Sequence, residues 1–173
     1  MDDAVERNLL PSNPVSVKAG RRKPKPVRKE LPDDDVLLGI VAELPDRYRL
    51  LGILTLFHGL RIGEALALRR QDVSTTHVKV SGTCYRVEGG GMVRLDSPKT
   101  DSGRRSVPIF SRWQPEVEHH LKYHVGDAPD APLFTTPGGP IVMDTTYRAA
   151  QNAAKKRAGY AHVRITPITG GCG

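Results

Sequence analysis

Between His77 and Ile109 the apolar side chains recur every second residue, and on both sides of that stretch they recur at helical spacing. Val78 and Val80, Tyr85 and Val87, Val93 and Leu95, and Val107 and Ile109 alternate with polar neighbours, as strands require. Gly89-Gly90-Gly91 and Asp101-Ser102-Gly103 supply turns between them. The pattern predicts a small antiparallel sheet of about three or four strands. Before it, Asp33-Asp34-Asp35 marks the negative-favouring start of a helix running to about Leu44. Pro45 opens a second, in which Leu50, Ile53, Leu54 and Phe57 face a core, and Gly59 ends it. A third is expected from about Arg61 to Arg70. After the sheet, helix returns around Gln114 to Val125. Beyond the turn at Pro137-Gly138-Gly139-Pro140, Asp144 is read as the cap of a helix that reaches Lys156 or Arg157 and is closed by Gly159. The order helices, sheet, helices makes this an α+β, mainly helical chain without an internal repeat.

Residues 1–30 follow another logic. Pro11, Pro14, Pro24 and Pro26 interrupt regular structure, while Lys18, Arg21, Arg22, Lys23, Lys25, Arg28 and Lys29 crowd one segment. Proline stiffens such a stretch toward an extended strap that suits a phosphate backbone. A solvated linker or a nuclear-import signal fits the same residues equally well. Over the whole chain 26 basic side chains stand against 19 acidic ones, a net charge of +7, which favours a polyanionic partner. Aromatic content is only 5%, so binding single strands by base stacking is not the expected mode.

Cys84 and Cys172 lie far apart and in no metal-ligand spacing, which points to a reducing compartment and no disulfide. The start Met1-Asp2-Asp3 carries no signal-peptide pattern. No apolar run approaches the ~20 residues of a membrane span. A soluble, cytoplasmic protein with no membrane partner is expected.

Arg61 is the first candidate for chemistry. A cation at a helix N-terminus opposes the macrodipole, a conflict that a bound phosphate removes. Glu64 lies one turn on, placed to hold the guanidinium from behind. Taken alone, an Arg-x-x-Glu string is common, and a surface ion pair worth less than about 1 kcal/mol is the simpler reading. Lys99 is the second candidate, a lysine at a hairpin tip that can donate a proton to a leaving oxygen; a solvated charge is again the simpler reading. Arg104 and Arg105 add general phosphate attraction. His120 and His124 are spaced i, i+4, as a metal pair would be, but no third ligand is suggested. A solvated helix face is favoured there, with neither a metal site nor a cofactor expected. His58 is expected to be partly buried and hydrogen-bonded.

The combination is more specific than its parts. Gly59-Leu60-Arg61-Ile62-Gly63-Glu64-Ala65-Leu66-Ala67-Leu68 resembles the first arginine box of the tyrosine recombinases, the phage integrase family. Ser97-Pro98-Lys99-Thr100, continuing to Arg104-Arg105-Ser106-Val107-Pro108-Ile109, is similar to that family's hairpin lysine motif. Leu133-Phe134 and Gly138-Gly139-Pro140 before the last helix match the family's order of elements, and Ala4 to Pro14 looks like the end of its core-binding domain. The resemblance implies the family's catalytic domain over 31–173, preceded in 1–30 by the end of the core-binding domain and a basic linker. It also implies a metal-free, cofactor-free reaction on double-stranded DNA at an attachment or recombination site, with other recombinase protomers as partners. A tyrosine attacks a phosphodiester; by motif match Arg61 is the first catalytic arginine, Glu64 its support and Lys99 the acid.

One departure qualifies this. The family continues after Ile165-Thr166-Pro167 with a histidine, two residues and a second arginine, whereas this chain has Ile168. Tyr48, Tyr85, Tyr123, Tyr147 and Tyr160 all precede that point, so none matches the nucleophile. The catalytic domain is therefore expected to be C-terminally incomplete and inactive alone in strand cleavage. The alternative is a non-catalytic DNA-binding regulator, or a fragment that interferes with a full-length recombinase.

Overall fold

The computed structural model describes residues 32–96 and 104–163. Three helices come first: α1 (Asp34–Ala42), α2 (Asp46–Leu56) and α3 (Ile62–Leu66). Four short strands follow, β1 (His77–Val80), β2 (Thr83–Arg86), β3 (Met92–Leu95) and β4 (Arg105–Pro108), then α4 (Gln114–Tyr123) and α5 (Asp144–Arg157). The order is the one the sequence predicts. No helix among the described residues is long and apolar enough to cross a membrane.

The core lies between the helices and β1. Leu50, Leu51, Ile53 and Leu54 of α2 are buried against Ile40 and Val41 of α1, Ala65 and Leu66 of α3, Val78 of β1, Val117 of α4, and Tyr147 and Ala154 of α5. Gly59 ends the α2 segment with φ +67°, a left-handed conformation that glycine adopts without a Cβ penalty. Gly159 does the same after α5, at φ +82°.

Three local expectations are corrected. The third helix stops at Leu66 rather than Arg70, although Ala67, Leu68, Arg69 and Arg70 have ample helical propensity. The chain leaves the helix because its backbone is claimed elsewhere: the amide of Leu133 donates to the carbonyl of Leu68, and the amide of Arg70 to that of Ala131, both at 2.9 Å. A 3-10 turn at Arg70–Asp72 completes the segment.

The strands form two separate two-stranded antiparallel ladders rather than one sheet: β1 with β4, and β2 with β3. In the first, Val78 and Val80 face the core; in the second, Tyr85, Val93 and Leu95 point to solvent, 49%, 44% and 45% exposed. Alternation marks a strand but does not say which face will be covered. Finally, Asp144 does not cap α5. Met143 holds the N-cap position, and Asp144 is the first helical residue, 3.6 Å from Arg148.

Candidate functional site

Arg61 occupies the N-cap position of α3, in extended backbone at φ −67° and ψ 146°. Its amide donates to Oε2 of Glu64 at 2.9 Å, so the glutamate closes the helix start. With only five residues, α3 offers little macrodipole, and the exposure of Arg61 rather than a helix field distinguishes the position. Its side chain is 55% exposed, with Nη1 3.9 Å from Oε1 of Glu64.

Glu64 therefore does not serve mainly as the brace of Arg61, as the sequence suggests. Arg105 at the start of β4 takes its carboxylate with both terminal nitrogens, Nη2 to Oε2 at 2.8 Å and Nη1 to Oε1 at 3.1 Å. This is the fork-to-fork geometry in which a guanidinium binds a carboxylate most strongly. Glu64 is only 9% exposed, and burial alone would raise its pKa. The bonds from Arg105 and from the Arg61 amide outweigh burial, and the carboxyl is held below its ordinary value.

Gly63 belongs to the same construction. A Cβ on it would meet Thr83 Oγ1 at 2.7 Å and the Cys84 carbonyl at 2.9 Å, so α3 sits against β2 only because residue 63 has no side chain. Cys84 is buried beneath this contact, which pushes its thiol up to about 11.

Lys99 lies outside the described residues, as do Lys18, Arg21, Arg22, Lys23, Lys25, Arg28 and Lys29 and the turn expected at Asp101-Ser102-Gly103. The residues that flank 97–103 are described. On one side the Asp96 carboxylate lies 2.8 Å from Arg94 Nε and 3.5 Å from Arg69 Nη2. On the other side stands Arg105, bound to Glu64. Both flanks are thus tied by ion pairs to the segment that carries Arg61, one to α3 itself and one to the residues just after it. Arg104 is exposed beside Arg105, consistent with a solvent-facing cation. The role of Arg105 as an anchor escaped the sequence reading. Its only sequence signal was a strand-start arginine near a motif lysine, which does not name the partner.

The histidines also depart from expectation. His120 is not on a solvated face: it is 1% exposed and its Nε2 donates to the Leu133 carbonyl at 2.9 Å. Burial lowers its pKa to about 4. His124 is mostly covered and reaches Asp46 rather than pairing with His120. His58 is half-buried as expected, with Nδ1 3.3 Å from the Ile53 carbonyl and Nε2 accepting from the Phe110 amide.

Comparison with known proteins agrees with this architecture. No protein-family model matches the chain. It is 29% identical over 171 residues to the integrase ascribed to prophage phiRv2 of Mycobacterium tuberculosis, covering 95% of this chain and 44% of the relative. It is 25% identical over 176 residues to the integrase of Mycobacterium phage L5, covering 95% of this chain and 45% of that protein. The chain thus spans about half the length of the curated relatives it matches. Its fold resembles the Tn1549 transposon integrase, solved in complex with transposon right end DNA: TM-score 0.68, 20% identity, 98% of this chain and 58% of that one. XerA recombinase superposes with a TM-score of 0.63 at 17% identity, over 92% of this chain and 49% of the other. The integrase relatives and the shared fold agree: the chain is similar in sequence to phage and prophage integrases and has the fold of the Tn1549 integrase and XerA recombinase.

Proposed function

We propose that this chain is part of a site-specific DNA recombinase or integrase, and that its described half-site binds the DNA phosphate to be exchanged. The observation that carries this is Arg61, a guanidinium more than half exposed above a carboxylate already occupied by Arg105. Its two outer nitrogens remain available to a phosphodiester, whose non-bridging oxygens match them. In the displacement step a tyrosine oxygen bonds to phosphorus, the 5′-oxygen leaves, and Arg61 stabilises the charge that shifts onto the non-bridging oxygens. Lys99, in the segment flanked by Asp96 and Arg105, protonates that leaving oxygen. Glu64 supports the site by fixing the Arg61 backbone and the start of β4. Residues 31–173 correspond to the catalytic domain. Residues 1–30 form the basic strap joining it to a core-binding domain, with Lys18 to Lys29 on the phosphate backbone. The partners are double-stranded DNA and further recombinase protomers, in the cytoplasm.

The matched relatives are about twice as long as this chain, and all five of its tyrosines precede Ile165-Thr166-Pro167. Tyr147, for example, is 3% exposed, its hydroxyl 3.5 Å from Thr55 Oγ1, with its pKa pushed up to about 12 by burial. Both features disfavour it as a nucleophile.

The test uses two measurements. Binding of the 173-residue polypeptide to duplex DNA should weaken steeply between about 50 and 200 mM salt, as counterion release requires when several phosphates are contacted. Incubation with a nicked suicide substrate should give no denaturant-stable protein–DNA band. Salt-independent binding would overturn the phosphate-binding reading. A covalent band would show that one of Tyr48, Tyr85, Tyr123, Tyr147 and Tyr160 is a nucleophile.

A further inference from the structure

At the other end of α2 from the Arg61 loop, three ligand-type side chains converge. Helix α2 is 11 residues long, so Asp46 at its start and Arg61 beyond its end are separated by at least about 16 Å of helix axis. Helix α4 runs back along α2: Trp113, just before it, packs against Phe57 after α2 with ring centroids 5.3 Å apart, and its last turn reaches Asp46. There Oδ2 of Asp46 accepts from His124 Nε2 at 2.6 Å and from His119 Nε2 at 3.0 Å. The three ligand atoms all lie within 4.8 Å of one another.

We propose that Asp46, His119 and His124 form a binding site for a divalent transition-metal ion of the zinc class. Two imidazole nitrogens and one carboxylate oxygen are the donor set such ions favour, with the remaining positions filled by water. Tetrahedral bonds of about 2.1 Å place neighbouring donors about 3.4 Å apart. To admit the ion the two imidazoles draw back from Oδ2 by less than about an ångström, while their own nitrogens, now within 4.8 Å of each other, close toward the same spacing. The carboxylate is already turned for this. Arg49 Nη1 donates to its other oxygen, Oδ1, at 3.1 Å, and leaves Oδ2 facing the imidazoles. Such an outer partner is what orients a ligating carboxylate. Arg49 also lies 3.5 Å from Glu116 Oε1, so its charge is offset and does not repel the ion alone.

Access is open on the side of Asp46 and His119, whose side chains are 43% and 42% exposed, whereas His124 is held at 14%. One ligand comes from the start of α2, one from the second half of α4 and one from the residue just after α4, so the ion would clip the two antiparallel helices together. The reading is independent of the DNA-binding proposal, because none of these residues adjoins Arg61, Glu64 or Arg105.

The experiment takes the full 173-residue chain without an affinity tag, stripped with chelator, and titrates it with Zn2+ by calorimetry and with Co2+ by visible absorption. One equivalent should bind saturably, raise the melting temperature and give Co2+ d–d bands. Zn2+ should shift the imidazole resonances of His119 and His124 while leaving those of His58, His77 and His162 in place. His119→Gln changes a partly exposed side chain and leaves the fold intact; it should weaken Zn2+ more than about tenfold. His124→Gln should do the same. No saturable binding below about 100 μM, affinity retained in His119→Gln, or shifts confined to other histidines would each overturn the site. In those cases the cluster is only a hydrogen-bonded helix contact.

Discussion

Arg105 and Glu64 share a two-point ion pair, with N–O distances of 2.8 and 3.1 Å, across 41 residues of chain. The carboxylate one turn past Arg61 is therefore committed to β4, and it ties the start of that strand to α3. Arg61 keeps its guanidinium more than half exposed as a result.

Arg105→Ala should destabilise the protein by about 1–2 kcal/mol, because Glu64 is left largely buried without its main partner while the Arg105 side of the pair remains partly in water. Glu64→Gln should cost a similar amount. The double variant should cost less than the sum, with a coupling of about 1 kcal/mol in urea unfolding. Strict additivity would mean that the pair contributes nothing to the fold.

The same pair sets an acid limit. The Glu64 carboxyl is held below its ordinary value of 4.5, so the unfolded state takes up its proton first as pH falls. The contribution of Glu64 is thus present in full above about 4.5 and is lost as pH drops below it toward the folded-state value. The stability difference between wild type and Glu64→Gln should be constant from pH 7 to 5.5 and shrink by pH 3.5. Denaturant melts at those pH values check it. A difference that grows with acid would mean that burial, not Arg105, dominates this carboxyl.

Gly63→Ala should destabilise by about 1–3 kcal/mol despite the better helix propensity of alanine, since the new Cβ strikes backbone as well as a side chain. Thr83→Ala should not rescue it fully, because the Cys84 carbonyl at 2.9 Å remains. A neutral or stabilising Gly63→Ala in thermal melts would show that α3 and β2 part easily.

Arg61→Ala should leave stability within about 0.5 kcal/mol of wild type, as an exposed side chain is removed while the Glu64 bond to the residue 61 amide is kept. Affinity for duplex DNA should fall at every sequence tested, and the slope of log affinity against log salt should drop by about one. Loss of stability with affinity unchanged would make Arg61 structural.

The strands, the helix ends at Gly59 and Gly159 and the apolar face of α2 were legible because each depends on local chemistry. A period of two or 3.6, or a glycine able to take positive φ, is written in neighbouring residues. The resemblance to the phage integrases was legible too, since the arginine box and the lysine motif are contiguous strings. The end of α3 was not. Leu66 to Arg70 reads as helix, and only the carbonyl of Ala131 and the amide of Leu133, more than 60 residues away, draw it out.

The amino-acid sequence by itself determined the order of elements, the basic balance and the positions of Arg61, Glu64 and Lys99 along the chain, because those follow from residue type and spacing. The tertiary structure decided what each side chain meets. It gave Glu64 to Arg105, buried His120 under the Leu133 carbonyl, brought Asp46 to His119 and His124, and left Tyr85, Val93 and Leu95 facing solvent. Hydrogen bonds and burial act between residues tens of positions apart, and a pattern read within one turn or one strand carries no record of that distance.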